Sequence, residues 1–375
     1  MTEWDQRARA AADSVRRLFG RRLLGMPFTH LARVDHPVSR PVFGPWNYWW
    51  QAHYIDALVD ESIREHARGN DALARHARRL AQRTLVSVGI RNVGRFTNAY
   101  YDDMAWMLLA AHRLEMHGAT HGPLPRGTRA HAGRALRRTI SRGDTPDLGG
   151  GVFWNTAHDF KNLPATGPWS LFRARIGDLA RAEALIDWSY THLHDPSTGL
   201  LQDGIEIDPD GGTRRTPHIF TYNQGTVLGT LTELATRGHR ESAARATDLV
   251  ASVHAHLTTD AGGRLALRTH GDGDGGLFTG ILVRYLALAA RSPALPSATR
   301  EVAARLVRDN AHLLWEGRES RSMSKTLGMP SSQVTVFSPD PAAPARESQP
   351  PGIPIELSTQ LQAWTILEAA ASLSE

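Results

Sequence analysis

Cysteine is absent from the 375-residue chain. That excludes a disulfide scaffold, thiolate metal sites and a cysteine nucleophile, but leaves the compartment open because a secreted protein can do without disulfides. Lysine is almost absent too: Lys161 and Lys325 are its only examples, so the formal charge of +5 rests on arginine. Arginines such as Arg7, Arg16, Arg64, Arg78, Arg137, Arg245 and Arg305 are scattered among carboxylates, so no concentrated basic footprint marks a nucleic-acid surface. Long apolar runs are missing as well. The longest, Leu277 to Ala290, is interrupted by Arg284 and falls short of the ~20 residues a membrane span needs. Residues 1–7 carry charge throughout and lack the apolar centre of a signal peptide. The expectation is a soluble chain with no membrane span and no nucleic-acid partner, cytoplasmic by default, or secreted if a leader was removed or export is non-standard.

What is present is a hydrophobic content of 41% against 22% charged residues, enough to bury a sizeable core and to exclude disorder as the main state. No shift in composition cuts the chain, so residues 1–375 read as a single domain, with a monomer as the default oligomeric state. Apolar periodicity gives about twelve helical segments and little strand. Segments near 2–20, 71–88, 127–140, 178–194, 240–258 and 297–315 are amphipathic, as surface helices are. Segments near 46–68, 101–117, 168–176, 221–237, 276–291 and 357–373 are apolar around most of their circumference and need burial on several sides.

The two kinds alternate strictly, which is the pattern of six helical hairpins closed into a ring: an all-α, (α/α)6 barrel. Connections from inner to outer helices are short, while those leading into inner helices are long. Long loops tend to carry function, so the working face is expected at the N-terminal ends of the inner helices. Two stretches depart from helix. Leu200 to Gly212 reads as a short hairpin with a glycine turn, and residues 338–354 are rich in Pro, Ala and Ser.

Tyr100-Tyr101-Asp102-Asp103-Met104-Ala105-Trp106 places two adjacent carboxylates at the start of an otherwise apolar helix. An aspartate can simply cap a helix or complement its dipole. Here the helix is an inner one, aromatics flank the pair, and the long-loop face is where a ligand would sit, which turns the reading towards catalysis. Neighbouring Cα atoms lie ~3.8 Å apart and successive helical side chains diverge by ~100°, so the carboxyl groups should sit roughly 4 to 7 Å apart. Glycoside cleavage with retention needs about 5 to 5.5 Å between its two carboxyls, and inversion about 6.5 to 9.5 Å. Adjacent aspartates suit retention better. The helix N-terminus favours one ionised carboxylate and mutual repulsion raises the proton affinity of the other, so a nucleophile and an acid can coexist.

Trp46-Asn47-Tyr48-Trp49-Trp50-Gln51 opens another inner helix, while Phe153-Trp154-Asn155 and Trp169 are expected on the long loop before the third. Ring faces combined with amides are what a sugar needs, because its C–H faces stack and its hydroxyls take directional hydrogen bonds. Asn155, Asn162, Asn223 and Gln224 beside these rings are hard to place as plain core, since each buried amide must find several partners.

Together, Trp49-Trp50-Gln51-Ala52, Tyr100 to Trp106, Gly150-Gly151-Val152-Phe153-Trp154-Asn155, Lys161-Asn162, Thr221-Tyr222-Asn223-Gln224-Gly225 and Phe278 to Leu286 resemble, in order, glycoside hydrolase family 76. The resemblance runs from about residue 46 to the last helix. It implies a six-hairpin α/α barrel and a retaining endo-α-1,6-mannanase activity on α-1,6-linked mannan or manno-oligosaccharides. It also implies Asp102 as nucleophile, Asp103 as acid/base, no metal and no cofactor. Trp49, Trp50, Tyr101, Trp154, Asn155, Lys161, Asn162, Tyr222, Asn223 and Gln224 are carried over as substrate-binding residues. At Phe153 the family pattern often has a second tryptophan. Transglycosylation, another α-linked glycan, or a carbohydrate-binding protein without catalysis are the alternatives.

Other signals are set aside. Gly271 to Gly276 satisfies G-x-G-x-x-G but lacks a βαβ setting, and reads as a flexible Gly/Asp loop whose aspartates could reach the groove. Ser322-Met323-Ser324-Lys325 matches S-x-x-K without the companion motifs. His192 with His194 and His254 with His256 are spaced so that the members of each pair diverge on a helix.

Overall fold

The computed structural model describes residues 1–39, 44, 46–120, 126–322 and 333–374. Its helices are α1 (Glu3–Phe19), α2 (Tyr48–Ala67), α3 (Asp71–Arg91), α4 (Tyr101–Thr120), α5 (Arg126–Ile140), α6 (Leu163–Arg175), α7 (Leu179–Leu193), α8 (Thr221–Thr236), α9 (Arg240–His256), α10 (Phe278–Arg291), α11 (Ser297–Glu316), α12 (Ala345–Ser348) and α13 (Leu357–Ala371). The alternating segments expected from periodicity are all present, and the short α12 lies in the Pro/Ala/Ser-rich stretch. No helix among the described residues is long and apolar enough to cross a membrane.

Local chemistry sets several of the boundaries. Thr2 and Asp5 form a reciprocal capping box at the start of α1, and Asn162 caps α6 by accepting from Ala165 N at 3.2 Å. Helix α6 begins five residues earlier than its periodicity suggested. Pro164 falls in the first turn, where a missing N–H costs nothing, and Pro168 is tolerated further in. Trp169 therefore lies inside this helix, where it is buried and donates its indole N–H to Asp144 at 2.8 Å.

The chain divides into two compact units. One comprises Met1–Arg91, Thr259–Gly280 and Val307–Glu375. In it α13 and α2 pack together, with α1 against α13 and α3 against α2. Arg64 of α2 joins Glu368 of α13 through Nε at 2.8 Å and Nη2 at 3.0 Å, and Glu65 through Nη1 at 2.6 Å. Such a buried network is held in place because removal of either sign would strand the other. Strand Glu319–Ser322 pairs antiparallel with Gln333–Val336. Lys325, the end of the S-x-x-K match, lies outside the described residues.

The other unit comprises Asn92–Thr258 and Ile281–Leu306. Here α4 packs on α6 and α6 on α8. Helix α10 approaches α8 so closely that a Cβ at Gly225 would lie 2.9 Å from Cα of Leu282, which fixes glycine there. Helices α5, α7 and α9 cover α4, α6 and α8. The expected hairpin appears as Gly204–Ile207 paired with Thr213–Arg215, and Phe160–Asn162 adds a third strand on its other side.

Candidate active site

The first turn of α4 is tied to the segment that follows residue 152. Tyr101 N donates to Trp154 O at 2.7 Å, Thr156 N to Ala99 O at 2.9 Å, and Trp154 N to Phe160 O at 2.7 Å. Asn98 fixes the approach to the helix: its Oδ1 accepts from Tyr100 N at 2.9 Å, while its Nδ2 donates to Asp103 Oδ2 at 2.6 Å. Tyr101 is buried with its hydroxyl 3.1 Å from His158 Nε2. Tyr100 is exposed, and its ring lies 5.2 Å from that of Trp154.

Asp102 and Asp103 therefore stand together at a helix N-terminus. Burial, and then the neighbouring charge of Asp103, raise the Asp102 carboxyl well above the usual carboxylate range. Hydrogen bonds from the Asp103 N–H and the Trp154 side chain oppose that shift without cancelling it. Asp102 Oδ1 is buried without a donor. Two coupled carboxyls of this kind release their protons in two steps that belong to the pair, so over the intervening pH range one is ionised and one protonated. That is the state an acid and a nucleophile require.

One turn along α4, Trp106 faces Tyr222 of α8 with ring centroids 6.3 Å apart. The next residue, Asn223, is fully buried; its Nδ2 donates to Asp203 Oδ1 at 2.8 Å and its own Oδ1 is left without a donor. Asp203 is buried as well, and desolvation pushes its carboxyl up to about 6. A carboxyl raised on folding adds stability at low pH that is lost as pH rises through its folded value. Asp203→Asn keeps the acceptor for Asn223 and removes this dependence. The melting temperature of the variant relative to wild type is expected to climb between about pH 4 and pH 7; parallel curves would show that Asp203 is not the titrating group.

Four of the residues carried over as substrate contacts are engaged by the protein's own main chain. Lys161 is fully buried, with Nζ 2.6 Å from both Asp147 O and Gly150 O, 3.0 Å from Thr145 O and Oγ1, and 3.3 Å from Gly151 O. Its ammonium gathers the loop that leads to Trp154, and burial lowers it to about 8. In that loop Gly151 has φ +74°, and a Cβ there would lie 2.7 Å from the Trp188 ring. Gln224 clasps Leu201, accepting from its N at 3.0 Å and donating to its O at 2.8 Å. Asn162 is the α6 cap already described. Asn155 is half-exposed and accepts from Ala157 N at 2.8 Å through Oδ1. Phe153, where the family pattern often has tryptophan, stacks on His158 at 4.4 Å.

In the other unit, Asp274 Oδ1 accepts both the Trp49 and the Trp50 indole N–H, at 2.9 and 2.8 Å. Trp50 is buried, whereas Trp49 is partly exposed and packs edge-on against His53 at 5.3 Å. The Gly/Asp loop is thus a fixed element. Gly273 N also donates to Glu356 at 2.6 Å, and Gly276 sits against Ser358 and Thr359. Asn98, Asp203 and Asp274 were not singled out for these contacts from sequence; Asn98 meets Asp103 only five residues on, while the partners of Asp203 and Asp274 come from distant segments that no local signal announces.

A family model for glycosyl hydrolase family 76 matches residues 27–342, and the chain belongs to this family. A comparison with curated protein sequences finds no match. Among solved structures, an α-1,6-mannanase of the family from Salegentibacter sp. HEL1_6 is similar at 28% identity and a TM-score of 0.79, with 99% of this chain and 100% of that chain covered. A Listeria innocua protein is similar in fold at 23% identity and a TM-score of 0.77, covering 99% of this chain and 98% of that one. A family 76 glycoside hydrolase from Bacteroides thetaiotaomicron has 15% identity and a TM-score of 0.77, covering 100% of this chain and 78% of that one. The fold class is that of the family, the (α/α)6 barrel, and the protein is a glycoside hydrolase.

Proposed function

We propose that this family 76 enzyme is a retaining hydrolase that cleaves α-1,6-mannosidic linkages within mannan chains, with residues 1–375 acting as one catalytic domain. The observation that carries the proposal is the adjacent carboxyl pair on the first turn of α4, its first member half-buried with Oδ1 shielded from solvent and held by Trp154. In the mechanism, Asp103 protonates the departing glycosidic oxygen while Asp102 attacks the anomeric carbon, so the C–O bond to the leaving sugar breaks as the bond to Asp102 forms. Asp103, now ionised, takes a proton from water, which displaces Asp102 and regenerates both groups. Trp154, Asn155, Tyr222 and Asn223 are the proposed contacts in this unit, with the buried Asn223 Oδ1 suited to a sugar hydroxyl. Trp49 is the proposed stacking face in the other. Lys161, Asn162, Gln224 and Trp50 act by holding backbone or neighbouring rings.

The Salegentibacter mannanase supports the substrate class: an inactive variant with two successive aspartates replaced by asparagine is in complex with α-1,6-mannotriose. A second reading exchanges the two roles, and the raised proton affinity of Asp102 favours it. Proton NMR of linear α-1,6-mannan digestion tests the activity. The α anomer should form first, as shorter chains with new reducing ends. A first-formed β anomer would overturn retention, and products longer than the donor would indicate transfer.

A further inference from the structure

Between α1 and α2 the chain turns back on itself, with Gly20–Arg21 paired antiparallel to Leu31–Ala32. The connection holds two apolar residues in the left-handed region, Leu24 at φ 48° and Phe28 at φ 61°, and both are exposed. Non-glycine residues are strained in this region and cluster where a segment binds something. Beside the ribbon is a cleft of about 290 Å³ whose lining includes Arg21, Arg22 and Arg33 together with the apolar Leu23, Leu31 and Val34.

The three guanidinium groups have no carboxylate partner among the described residues. Arg21 uses Nη1 on the carbonyls of Arg17 and Gly20, at 3.1 and 2.6 Å, which leaves its remaining donors available. The one carboxylate in the lining, Asp35, is turned to Ser39 and accepts from its N at 3.2 Å and from its hydroxyl. A further arginine of the lining, Arg91, is committed to Gly44 O at 3.0 Å. The local potential is positive enough to be felt by neighbouring groups: burial and then Arg33 lower Arg21, and burial with Arg83, Arg16 and Arg21 around it lowers His30 to about 4. Several other arginines of this unit are paired, as Arg16 is with Glu61 and Arg64 with Glu368.

We propose that this cleft is a binding site for a phosphate monoester or diester with an apolar body, the phosphate lying among Arg21, Arg22 and Arg33 and the apolar part on Leu23, Leu31 and Val34. Guanidinium forks match phosphate oxygens in pairs. A phosphate also presents enough oxygens for several arginines, where a carboxylate would leave one unmatched. The exposed Leu24 also lines the cleft, and the Arg83 guanidinium lies 5.9 Å from the exposed Phe28 ring. The site is independent of the proposed hydrolytic reaction.

The test compares the full chain with an Arg21→Ala, Arg33→Ala double variant, and with an Arg137→Ala, Arg138→Ala variant that removes equal charge from an exposed face of α5. Binding is measured to phosphatidylcholine vesicles with and without phosphatidylglycerol, and to inorganic phosphate and glycerol phosphate by calorimetry. The cleft variant should bind phosphate-bearing ligand about 30-fold more weakly than wild type, while the α5 variant binds as wild type does and mannan hydrolysis is unchanged in both. Loss confined to phosphatidylglycerol vesicles identifies a lipid headgroup as the source, and loss with glycerol phosphate alone identifies a soluble ester. Absence of binding to any of these ligands by wild type, or equal loss in both variants, would overturn the proposal.

Discussion

Asp102→Asn and Asp103→Asn are each expected to lower kcat on linear α-1,6-mannan by at least about 10³-fold, because each removes a group that acts directly on the reacting bond. The two changes differ in their effect on stability. The Asp102 carboxyl is raised by burial and by the charge beside it; a group raised on folding contributes stability at low pH that is lost as pH increases. Folding at neutral pH, where the unfolded chain ionises this carboxyl freely, therefore carries a cost that Asn removes. Asp102→Asn should melt above wild type at pH 7, and the difference should shrink as the solution is acidified. Inactivity with a lowered melting temperature would point to damage to the fold instead of loss of the nucleophile.

Lys161→Met carries the second large effect. The side chain is fully buried and its ammonium lies within 3.3 Å of five oxygens from the segment 145–151. Methionine fills much of the volume but leaves buried carbonyls without donors, at a cost of about 3 kcal/mol. The same loop leads to Trp154, which hydrogen-bonds Asp102. Loosening it should lower kcat/KM by roughly 10² through misplacement of the reacting groups. Lys161→Arg should not rescue, since a planar fork cannot replace a compact charge among converging carbonyls. Urea denaturation with steady-state kinetics checks both parts. A stable Lys161→Met protein with raised KM and unaltered kcat would make Lys161 a substrate contact.

The contrast between these residues shows what the sequence could reveal. The helices were legible because apolar periodicity separates all-round burial from one-sided burial, as Met104 to Ala111 differ from Arg240 to His256. The aspartate pair was legible because two charges at the head of an apolar helix conflict with their surroundings. Lys161 and Gln224 have the same appearance in sequence as groove residues, yet both are buried on main-chain atoms. A polar side chain in an apolar neighbourhood announces that it has a partner without saying whether the partner is the backbone or a ligand. Asn98, Asp203 and Asp274 matter through contacts at separations of 5, 20 and 225 residues, and only the folded chain makes the longer of these. The early start of α6 was hidden by Pro164 and Pro168, which sequence rules treat as breaks.

The most direct measurement is azide trapping with an aryl α-1,6-mannobioside whose leaving group needs little protonation. With Asp102→Ala, azide should restore turnover by entering in place of the missing carboxylate and give the β-glycosyl azide. With Asp103→Ala, azide should intercept the glycosyl-enzyme intermediate and give the α-glycosyl azide. An α-azide from Asp102→Ala and a β-azide from Asp103→Ala would exchange the two roles, and an absence of rescue or of any azide adduct in either variant would contradict double displacement by this pair.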